Sequence, residues 1–179
     1  LLLLILIAVL ALVAFGVFAG LLISGAINRE VASGIDVINE EGGKTALVVY
    51  QPGFSSFPKD VTYAFAQGLA SSGWRVEVTT ASSQTPTDTS KYSLLTLAYP
   101  MYGIWPGTAI VNYLNRTDSL NGTNTVVIVC GGGETGEINN TLTQQMQAVN
   151  GTFLEGFKFS YQDGSAVDKA TQAGSNITP

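Results

Sequence analysis

The side chains best suited to chemistry are scarce in this chain. It contains no histidine, which removes the usual general base, the commonest zinc ligand and the group that titrates near neutral pH. A serine paired with a lysine or a carboxylate is formally available, but no motif points to such a pair. Hydrolase or transferase chemistry is therefore the least favoured class. Cys130 is the single cysteine and ends an apolar run, so it forms no internal disulfide and reads as a buried thiol at a strand end. Directly after it, Gly131-Gly132-Gly133-Glu134-Thr135-Gly136 satisfies GxGxxG, with Glu155 about 20 residues on, as a dinucleotide site asks. The context differs, because that motif follows the first strand of a nucleotide unit and its acid ends the next strand rather than opening it. The competing reading is a tight turn or ligand loop, with Glu134 and Glu137 favouring the first turn of a helix through its dipole.

Five sites read Asn, a non-proline residue, then Ser or Thr: Asn115, Asn121, Asn139, Asn150 and Asn176. This is the acceptor signal for N-glycosylation, and it places the domain outside the cell. A polar, hydroxyl-rich surface can also produce such triplets incidentally. The net charge of −5 and pI near 4.5 argue against nucleic acid, whose binders present clustered Lys and Arg, and the sequence has no basic stripe.

These residues need elements to position them. Leu1 to Ile27 carries no charge and makes a helix of roughly 40 Å, against a hydrocarbon core of about 30 Å. The chain starts on Leu1 rather than methionine, and the helix is expected to belong to the mature protein rather than to a cleaved signal. Gly16, Gly20 and Ser24 recur every four residues and put small side chains on one face, the arrangement that lets a second backbone approach. The expected partners of this segment are a membrane and other copies of itself. In layout it resembles archaeal and type IV pilins, although Ile5 stands where many bacterial pilins carry glutamate.

About 150 residues follow, enough for one domain with a proper core. We read residues 1–28 as a transmembrane or filament-core helix, 29–44 as a stem, and 45–179 as the head. Thr45 to Tyr50 is a short β-branched run, and Val61, Phe65 and Leu69 then repeat at helical spacing. Trp74 to Thr80, Ser93 to Tyr99, Thr125 to Cys130 and Phe153 to Ser160 supply further strands. Pro106 to Leu114 and the Ile138 to Val149 segment supply helices, with Ala166 to Ala173 as the last. Apolar strands alternating with amphipathic helices predict a parallel sheet covered on both faces.

In VVYQPGFSSFPKDV after the first strand, SKYSLLTLAYPMYG around the third and TVVIVCGGG at the fourth, the head resembles the flavodoxin family. The resemblance implies an α/β three-layer domain with a five-stranded parallel sheet of order 2-1-3-4-5 and ligand loops at the carboxyl ends of the strands. It also implies FMN as cofactor and electron transfer as activity, the chemistry residing in the flavin. The phosphate would fall on the first loop, where Gly53 gives flexibility, Ser55 and Ser56 give hydroxyls and Lys59 gives charge. Pro100, Tyr102, Gly103 and Trp105 would form the second loop, with Tyr102 stacking on the ring, while Gly131, Gly132 and Gly133 would form the third. Tyr99 stands where a small residue is expected. The same topology puts Asn115, Asn121 and Asn150 at the opposite end of the sheet, Asn139 nearer the ligand loops, and the N-terminal helix at the sequon end.

Two functions follow. In the first, a structural or surface-display subunit carries a glycosylated head on a self-associating helix, in a pilin-like filament or a membrane assembly, with no catalytic residues, no metal and no required cofactor. In the second, the chain is a membrane-anchored FMN-binding electron-transfer protein with a redox partner. The first loop lacks the family's threonine, glycine and asparagine pattern, which tilts the sequence reading toward the structural subunit.

Overall fold

The computed structural model describes residues 2–101, 107–131 and 140–179. The chain begins with α1 (Leu2–Ile27), a single helix that is apolar on every side. Leu3 and the large side chains from Ile5 to Leu22 are exposed, and a Cβ added at Gly16 or Gly20 would meet nothing within 4 Å. Among the described residues it is the one helix long and apolar enough to cross a membrane by length and composition, over Ile5–Leu22.

Head elements follow in the order β1 (Asp36–Ile38), β2 (Thr45–Tyr50), α2 (Phe57–Ser71), β3 (Arg75–Thr80), β4 (Leu94–Pro100), α3 (Thr108–Arg116), β5 (Asn124–Cys130), α4 (Asn140–Ala148), β6 (Thr152–Phe159) and α5 (Ala166–Ser175). The expected five-stranded, purely parallel sheet is corrected. Among the described residues the sheet has six strands in the order β1-β3-β2-β4-β5-β6, and it is mixed, because β1 pairs antiparallel with β3 through Asp36–Val78, Val37–Glu77 and Ile38–Val76. All other neighbours are parallel. The added strand comes from the segment read as a stem. Three residues are too few to show a period-2 pattern, and only the free edge of β3 makes them a strand.

Side chains alternate across the central strands as the pleat requires. Ala46, Val48, Val126 and Ile128 join Phe65 and Leu69 of α2 and Ala170 of α5 on one face. Leu47, Val49, Leu95, Leu97, Val127 and Val129 join Ile110, Tyr113 and Leu142 on the other. On the first face α2 and α5 cross almost backbone to backbone. A Cβ at Gly68 would stand 2.1 Å from the Thr171 carbonyl oxygen, and one at Gly174 would stand 2.1 Å from that of Phe65. The tail is tied down where the buried Trp74 Nε1 donates to the Ile177 carbonyl at 2.7 Å.

The antiparallel course of β1 also moves the junction with α1. Residues 28–33 lie at the carboxyl end of the sheet, where the Thr80 hydroxyl donates to the Val31 carbonyl and the Thr80 amide donates to Ser33 Oγ at 3.1 Å. The expectation that the helix joins at the sequon end is therefore overturned. A stem running straight into β2 would have placed it there, but the chain first descends beside β3 and turns at 39–44.

Candidate functional site

The parallel strands end side by side at Tyr50, Pro100 and Cys130, and the strand order reverses between β2 and β4. In open α/β sheets a ligand crevice forms at such a switch point. Backbone bonds fix the roots of three loops there. Gln51 N donates to the Ala98 carbonyl at 2.8 Å, Met101 N to the Cys130 carbonyl at 2.9 Å, and Gly131 N to the Phe159 carbonyl at 3.0 Å.

The first loop runs from Gln51 to Ser56. Gly53 is half-buried, whereas Phe54, Ser55 and Ser56 are exposed. Ser56 is the N-cap residue of α2, yet its side chain makes no capping hydrogen bond, and Pro58 occupies the first turn. Proline there removes a donor that the helix does not use internally. Two exposed hydroxyls at the positive end of a 15-residue helix suit an anionic group. Lys59 is not directed at that loop, because its Nζ lies 5.5 Å from the centroid of the Tyr63 ring, one turn further along α2.

Pro100 is buried as the last residue of β4, and Gly131 is buried beside Met101 Cβ, 3.5 Å from where a Cβ of its own would stand. The structure thus brings Gly53, Ser55, Ser56, Pro100 and Gly131 to one end of the sheet. Tyr102, Gly103, Trp105, Gly132, Gly133 and Asn139 lie outside the described residues. Asn115, Asn121, Asn150 and Asn176 are all exposed, and the first three sit at the opposite end, Asn121 and Asn150 in left-handed turns with φ of 51° and 57°. Glu155 pairs with Val126 near the start of β5. It is therefore remote from Gly131, which follows the carboxyl end of β5, and the dinucleotide reading loses its acid.

Two features of the site escaped the sequence reading. Gln51 is fully buried, and its carboxamide fills the space a side chain at Gly107 would need, with Oε1 2.0 Å from the ideal Cβ position. The first loop and the start of α3 are thereby closed onto each other. The second feature is a polar stripe on α3. Thr108 donates to Asn28 Oδ1 at 2.6 Å, while Asn112 and Arg116 donate to Glu30 Oε1 at 3.1 and 2.8 Å. Their spacing of four was legible in the sequence, but their partners were not. The Arg116 hydrogen bond holds the Glu30 carboxyl below its ordinary range.

Tyr99, where a small residue was expected, points into the α3 and α4 face and is fully buried. Burial pushes its phenol up to about 12, with Cys130 adding to the shift, and burial pushes the Cys130 thiol up to about 12 as well. Neither of these two buried groups ionises near neutral pH. Among the described residues no cluster of His, Cys, Asp or Glu could hold a metal ion.

No protein-family model matches the chain, and no curated protein matches it. Solved structures do. A flavodoxin from the domain Archaea is similar at 16% identity and a TM-score of 0.61, over 74% of this chain and 95% of that one. The Megasphaera elsdenii flavodoxin is similar at 14% identity and a TM-score of 0.61, over 74% of this chain and 99% of that one. A flavodiiron core from Synechocystis is similar at 15% identity and a TM-score of 0.63, over 77% of this chain but 36% of that one. These likenesses lend no support to a pilin-like filament. What they establish, together with the strand order and the two covered faces, is that the head has a flavodoxin-like fold.

Proposed function

We propose that this chain is a membrane-anchored electron carrier whose head binds FMN at the carboxyl ends of its strands. The observation that carries the reading is the first loop: Ser55 and Ser56 are exposed at the amino end of α2, the Ser56 hydroxyl caps no amide of its own helix, and the loop lies at the point where the strand order reverses. These residues fit a phosphate. Their hydroxyls and the helix dipole hold the anion, and Gly53 lets the backbone turn beneath it. Bound FMN would supply one- and two-electron chemistry. The protein's part would be to bind and orient it through the hydroxyls of Ser55 and Ser56 and the amino end of α2. Tyr102 is the proposed stacking ring, and α1 is the proposed membrane anchor.

The test is a fluorescence titration of FMN into the detergent-solubilised chain. Saturable one-to-one quenching is expected, with riboflavin, which lacks the phosphate, binding far more weakly. Replacing Ser55 and Ser56 together by alanine should weaken FMN binding roughly tenfold or more, at about 1.4 kcal/mol per decade, while leaving riboflavin binding unchanged. Absence of saturable quenching, or equal affinity for FMN and riboflavin, overturns the reading.

A further inference from the structure

We propose that the loop face at the carboxyl end of the sheet lies against the same lipid surface in which α1 is anchored, with Phe54 and Tyr161 at headgroup level. The proposal rests on the anchoring of α1 put forward above. Its first support is the place where the helix joins the head. Asn28, one residue past α1, is hydrogen-bonded to Thr108 at 2.6 Å. Thr108 follows Gly107, and Gly107 is packed against Gln51, the first residue after β2. Two short steps thus connect the end of the apolar helix to the switch point.

The second support is that the junction is fastened rather than loose. A free linker would let the head present any face to the membrane. Here Glu30 accepts hydrogen bonds from Asn112 and Arg116 on α3, the Thr80 hydroxyl donates to the Val31 carbonyl, and Ser33 Oγ accepts from the Thr80 amide before the chain enters β1. Residues 28–33 therefore hold the head in one orientation relative to the end of α1.

The third support is the surface that this orientation turns toward the lipid. Phe54 in the first loop is 63% exposed, and Tyr161 just after β6 is 65% exposed. Aromatic side chains gather at the boundary between hydrocarbon and water, tyrosine among them because its ring is apolar and its hydroxyl is wet. Arg29, the first charge after α1, is exposed beside the same end and suits headgroup phosphates. The far end of the sheet instead carries the exposed Asn115, Asn121 and Asn150. A partner reaching the candidate site would then lie in the plane of the membrane rather than in bulk solvent.

The test places a nitroxide at one introduced cysteine at a time in the full chain, reconstituted in phosphatidylcholine vesicles: V13C, F54C, Y161C and N121C. Cys130 is buried with its thiol pushed up to about 12, so labelling goes to the introduced site. Collision with dissolved oxygen, which concentrates in lipid, is compared with collision with a water-soluble nickel chelate. The expected result is a hydrocarbon signature at position 13 and chelate accessibility at positions 54 and 161 several-fold below that at 121. If position 13 is in hydrocarbon but 54 and 161 are as open to the chelate as 121, the orientation is overturned and the anchor stands. If position 13 is as open as 121, the anchoring reading falls, and the orientation falls with it.

Discussion

At the scale of single residues, the head tolerates polar atoms that burial has stripped of water. Tyr99 is fully buried, and its hydroxyl has no hydrogen-bond partner among the described residues. An unsatisfied buried donor costs about 1–3 kcal/mol, so Tyr99→Phe should leave stability unchanged or raise it by about 1 kcal/mol, measured as a shift in the urea midpoint. A clear loss would mean that the hydroxyl is satisfied in solution. Gln51 could not have been recognised by its type, since glutamine usually lies at the surface. Its burial follows from the space that glycine leaves at position 107. Serine at 55 and 56 was legible as a source of hydroxyls, and the structure adds that both are exposed.

Element packing is governed by the closest approaches. In α5, Gly174→Ala would gain about 1 kcal/mol of helix propensity, but its Cβ would stand 2.1 Å from the Phe65 carbonyl oxygen and 3.0 Å from the Leu69 amide nitrogen. Backbone cannot yield as a side-chain tip can, so a net loss of about 1–3 kcal/mol is expected, read from urea unfolding with an unchanged m-value. On β3 the charge of the buried Glu77 is held by Lys91 Nζ at 2.9 Å, Tyr92 Oη at 2.6 Å and Arg75 Nη2 at 3.6 Å. Burial alone would push this carboxyl up, but the hydrogen bonds from Tyr92 and Lys91 and the charges of Lys91 and Arg75 bring it below its ordinary 4.5. The unfolded chain then binds that proton more readily than the folded one. The stabilisation is complete above 4.5 and is lost as pH falls through the lower folded value. Glu77→Gln should flatten the acid side of a plot of urea midpoint against pH; an unchanged acid limb would show that Glu77 is not the group responsible.

For the whole molecule, the decisive feature is how an apolar helix is joined to a polar head. Its length and lack of charge were plain in the sequence, but the end of the sheet at which it joins was misjudged, because that depends on β1. The junction is held largely by partly exposed polar bonds, and its ion pair, Arg116 with Glu30 at 2.8 Å, is of a kind worth about 0.2–1 kcal/mol. Glu30→Ala should therefore speed amide hydrogen exchange in residues 28–33 by roughly two- to fivefold while leaving exchange in β4 and β5 unchanged. Equal protection in both proteins would show that the Glu30 contacts do not secure the junction.

Local pattern was enough to determine the helix at the start and the alternation of buried strands with amphipathic helices. These follow from hydrophobic period, turn residues and side-chain type, which neighbouring residues carry among themselves. Only the tertiary structure decided that Asp36–Ile38 adds a sixth, antiparallel strand, that Gln51 closes against Gly107, that Lys59 turns toward Tyr63, and that the apolar helix emerges at the carboxyl end of the sheet. Each of these depends on a partner distant in sequence, through an open sheet edge, a missing Cβ, an aromatic ring or a helix face, and no local spacing encodes which partner will be met.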